Sequence, residues 1–406
     1  MRSIISIAAI TLCFWSIAHT GRAGLARLYS AYSQSTFSLN GADRALSYTP
    51  DDPEVLYARA LLHEQAEEPT EAIRDLEKAA ALRPRDYLLW LELGRVLQVA
   101  DEEPRALSAF QEAVRLAPYS TDARWQLGNL LLRNGRFEEA FAELRRASAA
   151  DREMLPVVLE LAWNAYQGNA EEIENAVRVS DPADRLALAQ FLLRHGDIAG
   201  ALQVFKSTKG ATTDQRNQFV LALLAQNHFY EAFEAWSGET YAAGLAAIAN
   251  GDFEEKTLIR DEGFGWQASM QEGSQVILDL SQARTGQQSA LIEFTGSSNP
   301  GTAVLTQRVL VQPETNYQLR FATKSQNLIT GGLPILAVAE ATTNGKLLAE
   351  CTLWVQTTSW ETMKLSFRTG NDVTAVRISI QRQACSRQPC PAIGRLWLDD
   401  FSLQRL

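Results

Sequence analysis

The sequence is poor in histidine and has no recognisable catalytic motif. Only four histidines occur in 406 residues, and the last of them is His228. The chain has no GxSxG nucleophile elbow, no glycine-rich phosphate loop and no HExxH zinc motif. A serine or cysteine nucleophile in the C-terminal half would therefore lack the usual histidine base. The carboxylates of Glu293, Glu340 and Glu350 could serve a glycosidase, but their spacing does not single them out, so we predict no catalytic residues and a non-enzymatic protein.

The chain also lacks a basic stripe. Its formal net charge is −10, with 21% charged and 46% hydrophobic residues. From Phe253 onward, lysine plus arginine balance aspartate plus glutamate, so the excess acid lies in the N-terminal part. This composition indicates a globular chain of two or more domains and argues against a nucleic-acid partner.

Long apolar runs are absent except for one at the N-terminus, where residues 3–18 follow Arg2. We predict that residues 1–23 are a signal peptide or an uncleaved signal anchor, and that the rest of the chain is extracytoplasmic, anchored to the inner membrane or secreted to the periplasm. The run is short for a membrane span, which usually needs about 20 apolar residues. The alternative is a buried N-terminal helix of a cytosolic protein.

A step of 34 residues organises the chain that follows. Pro50, Pro84 and Pro118 keep this step, as do Gly94 and Gly128. Within each unit, apolar residues recur at i, i+3, i+4 and i+7 on either side of a short turn, which predicts two amphipathic helices. An ordinary helical bundle would not fix such a step.

These repeats resemble the tetratricopeptide repeat, because signature residues of that family occur in the expected order. The resemblance implies an α-solenoid over residues 24–249, with regular repeats at 53–86, 87–120 and 121–154 and degenerate repeats before and after. The matching residues are Trp90, Leu93, Gly94, Ala106, Phe110, Ala113 and Pro118.

In this family the first helix of each pair lines a concave groove that holds an extended peptide or a partner helix. Arginine there could hold a carboxylate of the partner through paired hydrogen bonds. The alternative for each side chain is packing between neighbouring helices. The predicted protein-binding groove consists of Tyr57, Leu61, Leu91, Arg95, Gln98, Trp125, Asn129, Leu132 and Arg133.

From residue 250 the pattern changes to alternating apolar and polar residues. Nine such segments, separated by turn clusters, predict an antiparallel β-sandwich over residues 250–406. The opening segment NGDFEE and the closing segment RLWLDDFSL resemble carbohydrate-binding modules of the galactose-binding-like jelly-roll superfamily. That resemblance implies that the two segments lie close together, and that a structural calcium ion could be bound by Glu254 and Asp399. The alternative for Asp399 is a cap on a strand end.

Sugars stack on exposed aromatic rings with polar groups beside them. The predicted carbohydrate-binding residues are Trp266, Trp354 and Trp360, with Gln381 and Arg382 as polar partners. The alternative for each tryptophan is a place in the sandwich core, where this residue is more often found.

Two of the four cysteines flank a short loop. Cys385 and Cys390 could form a disulfide in an oxidising compartment, whereas Cys13 and Cys351 have no evident partner. With no histidine in this half, zinc is not expected.

Together these features predict a multidomain α + β protein, an α-solenoid followed by a jelly roll. The predicted function is that of an extracytoplasmic adaptor. Its repeats would bind a protein of a cell-envelope or exopolysaccharide assembly system, and its sandwich would contact glycan or protein. The alternatives are a carbohydrate-active enzyme or its accessory subunit, and a purely structural spacer.

Overall fold

The computed structural model describes residues 2–255, 263–269, 271–296, 299–342, 344–353, 359–385 and 390–406, with side chains from Thr11 onward except that of Tyr241. The chain divides into two compact units, Met1–Val179 and Ser180–Leu406. Each unit is described separately below.

The first unit is entirely helical. Its helices are arranged in antiparallel pairs along the chain, with one 3₁₀ turn at Arg152–Met154. They are α1 (Arg2–Thr36), α2 (Leu39–Tyr48), α3 (Pro53–Gln65), α4 (Pro69–Leu82), α5 (Tyr87–Val99), α6 (Glu103–Leu116), α7 (Thr121–Arg133), α8 (Phe137–Ala150), α9 (Leu155–Ala165) and α10 (Ala170–Val177).

The 34-residue step sets where these helices begin. Helices α3, α5 and α7 start at the first residues of the three predicted repeats. Each start is capped by the side chain of the preceding residue: Asp52 accepts from the N–H of Glu54 at 3.0 Å, and Asp86 accepts from that of Leu88 at 3.2 Å. Such caps satisfy backbone donors that the first helical turn leaves without a partner.

The glycines of the repeat lie where paired helices cross. A Cβ atom added at Gly94 would come within 2.5 Å of the Phe110 ring, and one at Gly128 within 2.8 Å of Leu144 Cγ. Both partner side chains are fully buried. Because glycine has only a hydrogen atom as its side chain, α5 can approach α6, and α7 can approach α8, closely enough to exclude solvent.

The long helix α1 has two different halves. Near its C-terminal end, Ala26 is fully buried with Ala45 and Val55. Near its N-terminal end, Leu12, Phe14 and Trp15 are at least 65% exposed. Of the side chains of α1 that the structure describes, those near Ala26 are covered by α2 and α3, whereas Leu12, Phe14 and Trp15 are not.

Among the described residues, no helix is both long enough and apolar enough to cross a membrane.

The second unit joins five helices to ten strands. The helices are α11 (Pro182–Arg194), α12 (Ile198–Ser207), α13 (Thr213–Ala225), α14 (Phe229–Ser237) and α15 (Tyr241–Gly244). The strands are β1 (Gln267–Ala268), β2 (Ser274–Asp279), β3 (Ser289–Gly296), β4 (Leu305–Leu310), β5 (Asn316–Thr330), β6 (Pro334–Glu340), β7 (Leu347–Thr352), β8 (Glu361–Arg368), β9 (Ala375–Arg382) and β10 (Ala392–Arg405).

The strands form two five-stranded antiparallel sheets, in the orders β1-β4-β9-β6-β7 and β2-β3-β10-β5-β8. Alternate residues of both sheets point into one core, which includes Leu305 and Ile378 from the first sheet and Phe321 and Leu396 from the second. The predicted combination of a helical array and a sandwich of antiparallel strands is confirmed. The two-residue strand β1 was not predicted, because two residues carry no periodicity.

The opening and closing segments of the sandwich lie together, as the resemblance implied. The N–H of Phe401 donates to the carbonyl of Gly251 at 2.8 Å. The ring of Phe401 also contacts those of Phe253 and Trp266, with centroids 5.9 and 4.8 Å away. These contacts close one end of the core.

The compact units do not divide where the helices give way to strands. Helices α11–α14 belong to the same unit as the sandwich, although we predicted a boundary at residues 249/250. One reason is aromatic packing: the ring of Phe233 on α14 meets that of Phe264, before β1, edge-on at 5.2 Å. The Tyr230 hydroxyl also donates to the Val311 carbonyl at 3.4 Å.

Candidate protein-binding groove

Side-chain hydrogen bonds connect the first helices of two successive repeats. On α5, Arg95 donates from Nη1 to Glu92 Oε1 at 2.8 Å and from Nη2 to Asp122 Oδ2 on α7 at 2.6 Å. One guanidinium group is therefore held between two carboxylates. This ion pair fixes α5 against α7 at the middle of the predicted groove.

Glu92 is an acidic residue of this region whose environment disfavours its charged form. Its side chain is only 13% exposed. Burial raises the pKa of the Glu92 carboxyl, Glu64 and Asp122 raise it further, and Arg95 opposes the shift. The pKa of Tyr57 on α3 is also raised, first by burial and then by the charge of Glu92. Electrostatic coupling thus runs from α3 through α5 to α7.

Most of the predicted groove residues are at least partly accessible. Arg133 is exposed, whereas the ring of Tyr57 and the side chain of Leu132 also pack against the buried core of the repeats. The partly exposed side chains are Tyr57, Leu61, Arg95, Gln98, Trp125, Asn129 and Leu132.

Two predicted roles in the groove need correction. Leu91 is 1% exposed and belongs to the core between the helix pairs, so it offers no surface to a partner. Arg95 or Arg133 was expected to hold a carboxylate of the partner. Two carboxylates of the chain itself already bind the Nη groups of Arg95, whereas Arg133 is exposed. The acidic residues were missed. The spacing of Glu92 three residues before Arg95 was the available signal, since side chains at i and i+3 of a helix are neighbours.

Two predicted sugar-binding residues are buried, and this corrects their roles. Trp266 is 3% exposed, and its Nε1 donates to the Asn250 carbonyl at 3.0 Å. Arg382 is 2% exposed and donates from Nη2 to the Cys390 carbonyl at 2.9 Å, and burial lowers its pKa. Trp360 and Gln381 are partly exposed. Trp354 lies outside the described residues.

Glu254 and Asp399 hold a loop by its backbone. Oε1 of Glu254 accepts from the N–H groups of Gln287 and Gln288, at 2.8 and 3.1 Å. Oδ2 of Asp399, a fully buried residue, accepts from those of Arg284 and Thr285, at 2.8 and 3.3 Å.

Both predicted calcium ligands thus bind the backbone of residues 284–288. Burial raises the pKa of Asp399 against the lowering effect of its backbone hydrogen bonds. Within the described parts of the chain, no three His, Cys, Asp or Glu side chains are grouped so as to hold a metal ion. Calcium usually takes about six to eight oxygen ligands, among them backbone carbonyls and waters, and Glu254 and Asp399 would supply two carboxylates to such a site.

Cys385 and Cys390 form a disulfide, with their Cα atoms 5.7 Å apart. Cys13 and Cys351 are free thiols, and burial raises the pKa of Cys351 to about 11. The disulfide and the Arg382 hydrogen bond to Cys390 both tie the segment after β9 to the end of that strand.

Models of the tetratricopeptide repeat match residues 39–87, 57–121 and 102–162. The chain is 26% identical over 153 residues to the peroxisomal targeting signal receptor of Candida albicans, and the alignment covers 37% of this chain and 26% of that protein. The chain therefore spans about a quarter of the length of this relative. The three regular repeats predicted from the sequence thus lie within residues that models of this family match.

Two solved structures are similar to parts of this chain. YrrB, described as a TPR protein with an unusual peptide-binding site, is 21% identical, with 51% of this chain and 90% of that chain covered and a TM-score of 0.30. A structure described as that of a CBM4 is 16% identical, with 39% of this chain and 100% of that chain covered and a TM-score of 0.30.

Proposed function

We propose that this protein is a non-enzymatic scaffold that binds a protein partner along the groove formed by α3, α5 and α7. The observation that carries the proposal is the Glu92–Arg95–Asp122 bridge. Only Glu92 of the three is largely buried, at 13% exposed, and the bridge joins two consecutive repeats. Partly exposed Trp125 and Asn129 on α7 add an aromatic face and an amide, which suit an extended peptide or a helix.

The charge of the groove favours a basic partner segment. Around Arg95, the carboxylates of Glu64, Glu92 and Asp122 outnumber its one guanidinium, so this part of the groove carries a net negative charge. Arg133 adds a positive charge only at the far end of α7. A lysine or arginine of the partner would gain from that potential, whereas an acidic segment would be repelled. A basic partner segment is therefore favoured at Arg95, in place of the partner carboxylate that the arginine suggested when considered without its neighbours.

We also propose that the protein is extracytoplasmic and works in cell-envelope or exopolysaccharide assembly, anchored to the inner membrane or free in the periplasm. The apolar N-terminal segment supports this location, as does the disulfide, since disulfides persist in oxidising compartments. The sandwich would contact glycan or a second protein, with Trp360 and Gln381 as its accessible candidate residues.

The first test is capture of envelope proteins by the full chain in detergent. Changing Glu92 to glutamine and Trp125 to alanine should abolish retention of a basic partner, because this double variant loses an acidic group and the aromatic face of the groove. Arg115→Ala is the matched control, because it removes a similar i,i+3 ion pair, to Glu112, on the second helix of the repeat. If the double variant retains the partner as well as the wild type does, the groove is not the binding site.

A second test separates binding from turnover in the sandwich. A glycan binder should retard a polysaccharide in a native gel without changing its mass or reducing ends, and Trp360→Ala should weaken the retardation. A change in reducing ends would instead indicate a carbohydrate-active enzyme, and the absence of retardation would favour a spacer.

A further inference from the structure

A cavity of about 390 Å³ opens among α8, α9 and α10 in the first unit. It lies outside the groove, because α8 and α10 are the second helices of their pairs. Two arginines line it, Arg145 from α8 and Arg178 at the end of α10, together with the phenol of Tyr166. Nothing in the proposed partner binding uses these three side chains.

Arg145 carries a half-buried positive charge that forms no ion pair with any described carboxylate. Its Nη1 donates to the Ala176 carbonyl at 2.5 Å. Among the described residues, no carboxylate lies within 4.0 Å of its guanidinium, whereas the adjacent Arg146 pairs with Glu143 at 2.5 Å. Burial lowers the pKa of Arg145, and the charges of Arg178 and Arg146 lower it further. A bound anion would offset this unfavourable charge.

Arg178 supplies the second guanidinium from a strained backbone position. It ends α10 with a φ of 46°, in the left-handed region that glycine occupies most readily. Its Nε donates to the Asn175 carbonyl at 2.9 Å, which positions the guanidinium at the cavity. Arginine at such a place costs backbone energy and contributes a second positive charge beside Arg145.

Tyr166 completes the set of donors. Its ring packs against those of Phe141 and Phe137, with centroids 5.5 and 6.0 Å away. Burial raises the pKa of the Tyr166 phenol, followed by the charges of Glu172 and Glu138. The hydroxyl therefore stays protonated at neutral pH and can donate a hydrogen bond.

We propose that this cavity binds a small oxyanion, a carboxylate or a phosphoryl group, held by the guanidinium groups of Arg145 and Arg178 and by the hydroxyl of Tyr166. The planar guanidinium fork matches the two oxygens of a carboxylate or phosphate. Glu138 and Glu172 also line the cavity, but neither is within 4.0 Å of the two guanidinium groups. They limit how much negative charge the cavity accepts and so favour a small ion.

The proposal can be tested by calorimetry on the full chain, with inorganic phosphate and acetate as probes and chloride at matched ionic strength as the blank. Arg178→Gly removes a guanidinium and relieves the left-handed strain, so this variant should fold at least as well as the wild type. Arg145→Met keeps much of the side-chain packing. Each change should weaken binding roughly tenfold to a hundredfold, as expected for a lost charge-assisted hydrogen bond.

Two further variants sharpen the test. Arg146→Met, on the same helix, is the matched control. It should leave the affinity within about twofold, because Arg146 pairs with Glu143 and does not line the cavity. Glu172→Gln should tighten binding because it removes a repelling charge. A preference for phosphate over acetate would identify the ligand as phosphoryl, and the reverse as carboxylate. The proposal is overturned if neither probe binds more tightly than about 10 mM, or if Arg178→Gly binds as well as the wild type.

Discussion

Replacing Gly94 with alanine should destabilise the repeat array, even though alanine is the better helix former. The substitution gains about 1 kcal/mol of helix propensity. The new Cβ, however, would lie 2.5 Å from both Cδ1 and Cε1 of Phe110, a ring that is completely buried and has little room to move. Overpacking of this kind costs about 1–3 kcal/mol, so the expected net loss is about 1 kcal/mol and at most about 2 kcal/mol.

The repeat itself supplies the compensating change. One step earlier, the position of Gly94 is occupied by Ala60, and that of Phe110 by Leu76; both are buried in the same core. Alanine is therefore tolerated where its partner is leucine. The double variant Gly94→Ala/Phe110→Leu reproduces this pair and should recover to within about 1 kcal/mol of the wild type.

The measurement is the urea midpoint of the helical signal at 222 nm for the two single variants and the double variant. Gly128→Ala is an internal comparison, because its Cβ would meet the flexible side chain of Leu144 at 2.8 Å and should cost less. The reasoning fails if Gly94→Ala is as stable as the wild type, or if the double variant loses the sum of the two single losses.

Three other perturbations test the groove and the sandwich. Because burial raises the pKa of Glu92, the wild type should lose stability as the pH rises from the unfolded-state pKa, about 4.3, through the folded-state pKa. In a plot of the urea midpoint against pH, Glu92→Gln should show a smaller decline over that range. Changing Cys385 and Cys390 to serine should lower the stability of the sandwich by roughly 2 kcal/mol, as expected for so short a loop, measured by guanidinium unfolding followed by tryptophan fluorescence. The effect of Cys351→Ser on stability should be the same with and without reductant, because this thiol is free. Glu254→Ala should speed hydrogen exchange at the N–H groups of Gln287 and Gln288, while Asp399 still protects those of Arg284 and Thr285. Equal acceleration at all four N–H groups would show that the two carboxylates do not act independently.

The helical part could be predicted because its spacing constrains several contacts at once. A 34-residue step places Ala60, Gly94 and Gly128 at the same helix crossing, so small residues recur where backbones approach. Alternation likewise predicted the sandwich, since a strand with one buried face must repeat every two residues. The division into compact units was not predictable in this way, because it depends on aromatic contacts such as Phe233 with Phe264, which have no period.

The candidate sites were predicted less well than the fold. Position in the repeat identified the helix face of Arg95, but not the carboxylates that neutralise it from the same helix and from α7. Tryptophan content suggested a sugar platform at Trp266, whereas that ring fills the end of the sandwich core. In both cases the residue was of a type that could bind the predicted ligand. Its neighbours in space, which cannot be read from the sequence, gave it a structural role instead.

The contrast between Arg95 and Arg145 shows why neighbours matter more than residue type. Both guanidinium groups are partly buried in the same repeat array. Arg95 is balanced by Glu92 and Asp122, so a partner that binds there meets an acidic surface with a fixed ion pair. Arg145 is accompanied by a second arginine instead. A buried charge is tolerated only when an opposite charge or hydrogen bonds compensate it. For Arg95 the chain itself supplies these opposite charges, whereas Arg145 is suited to receive one from a bound anion.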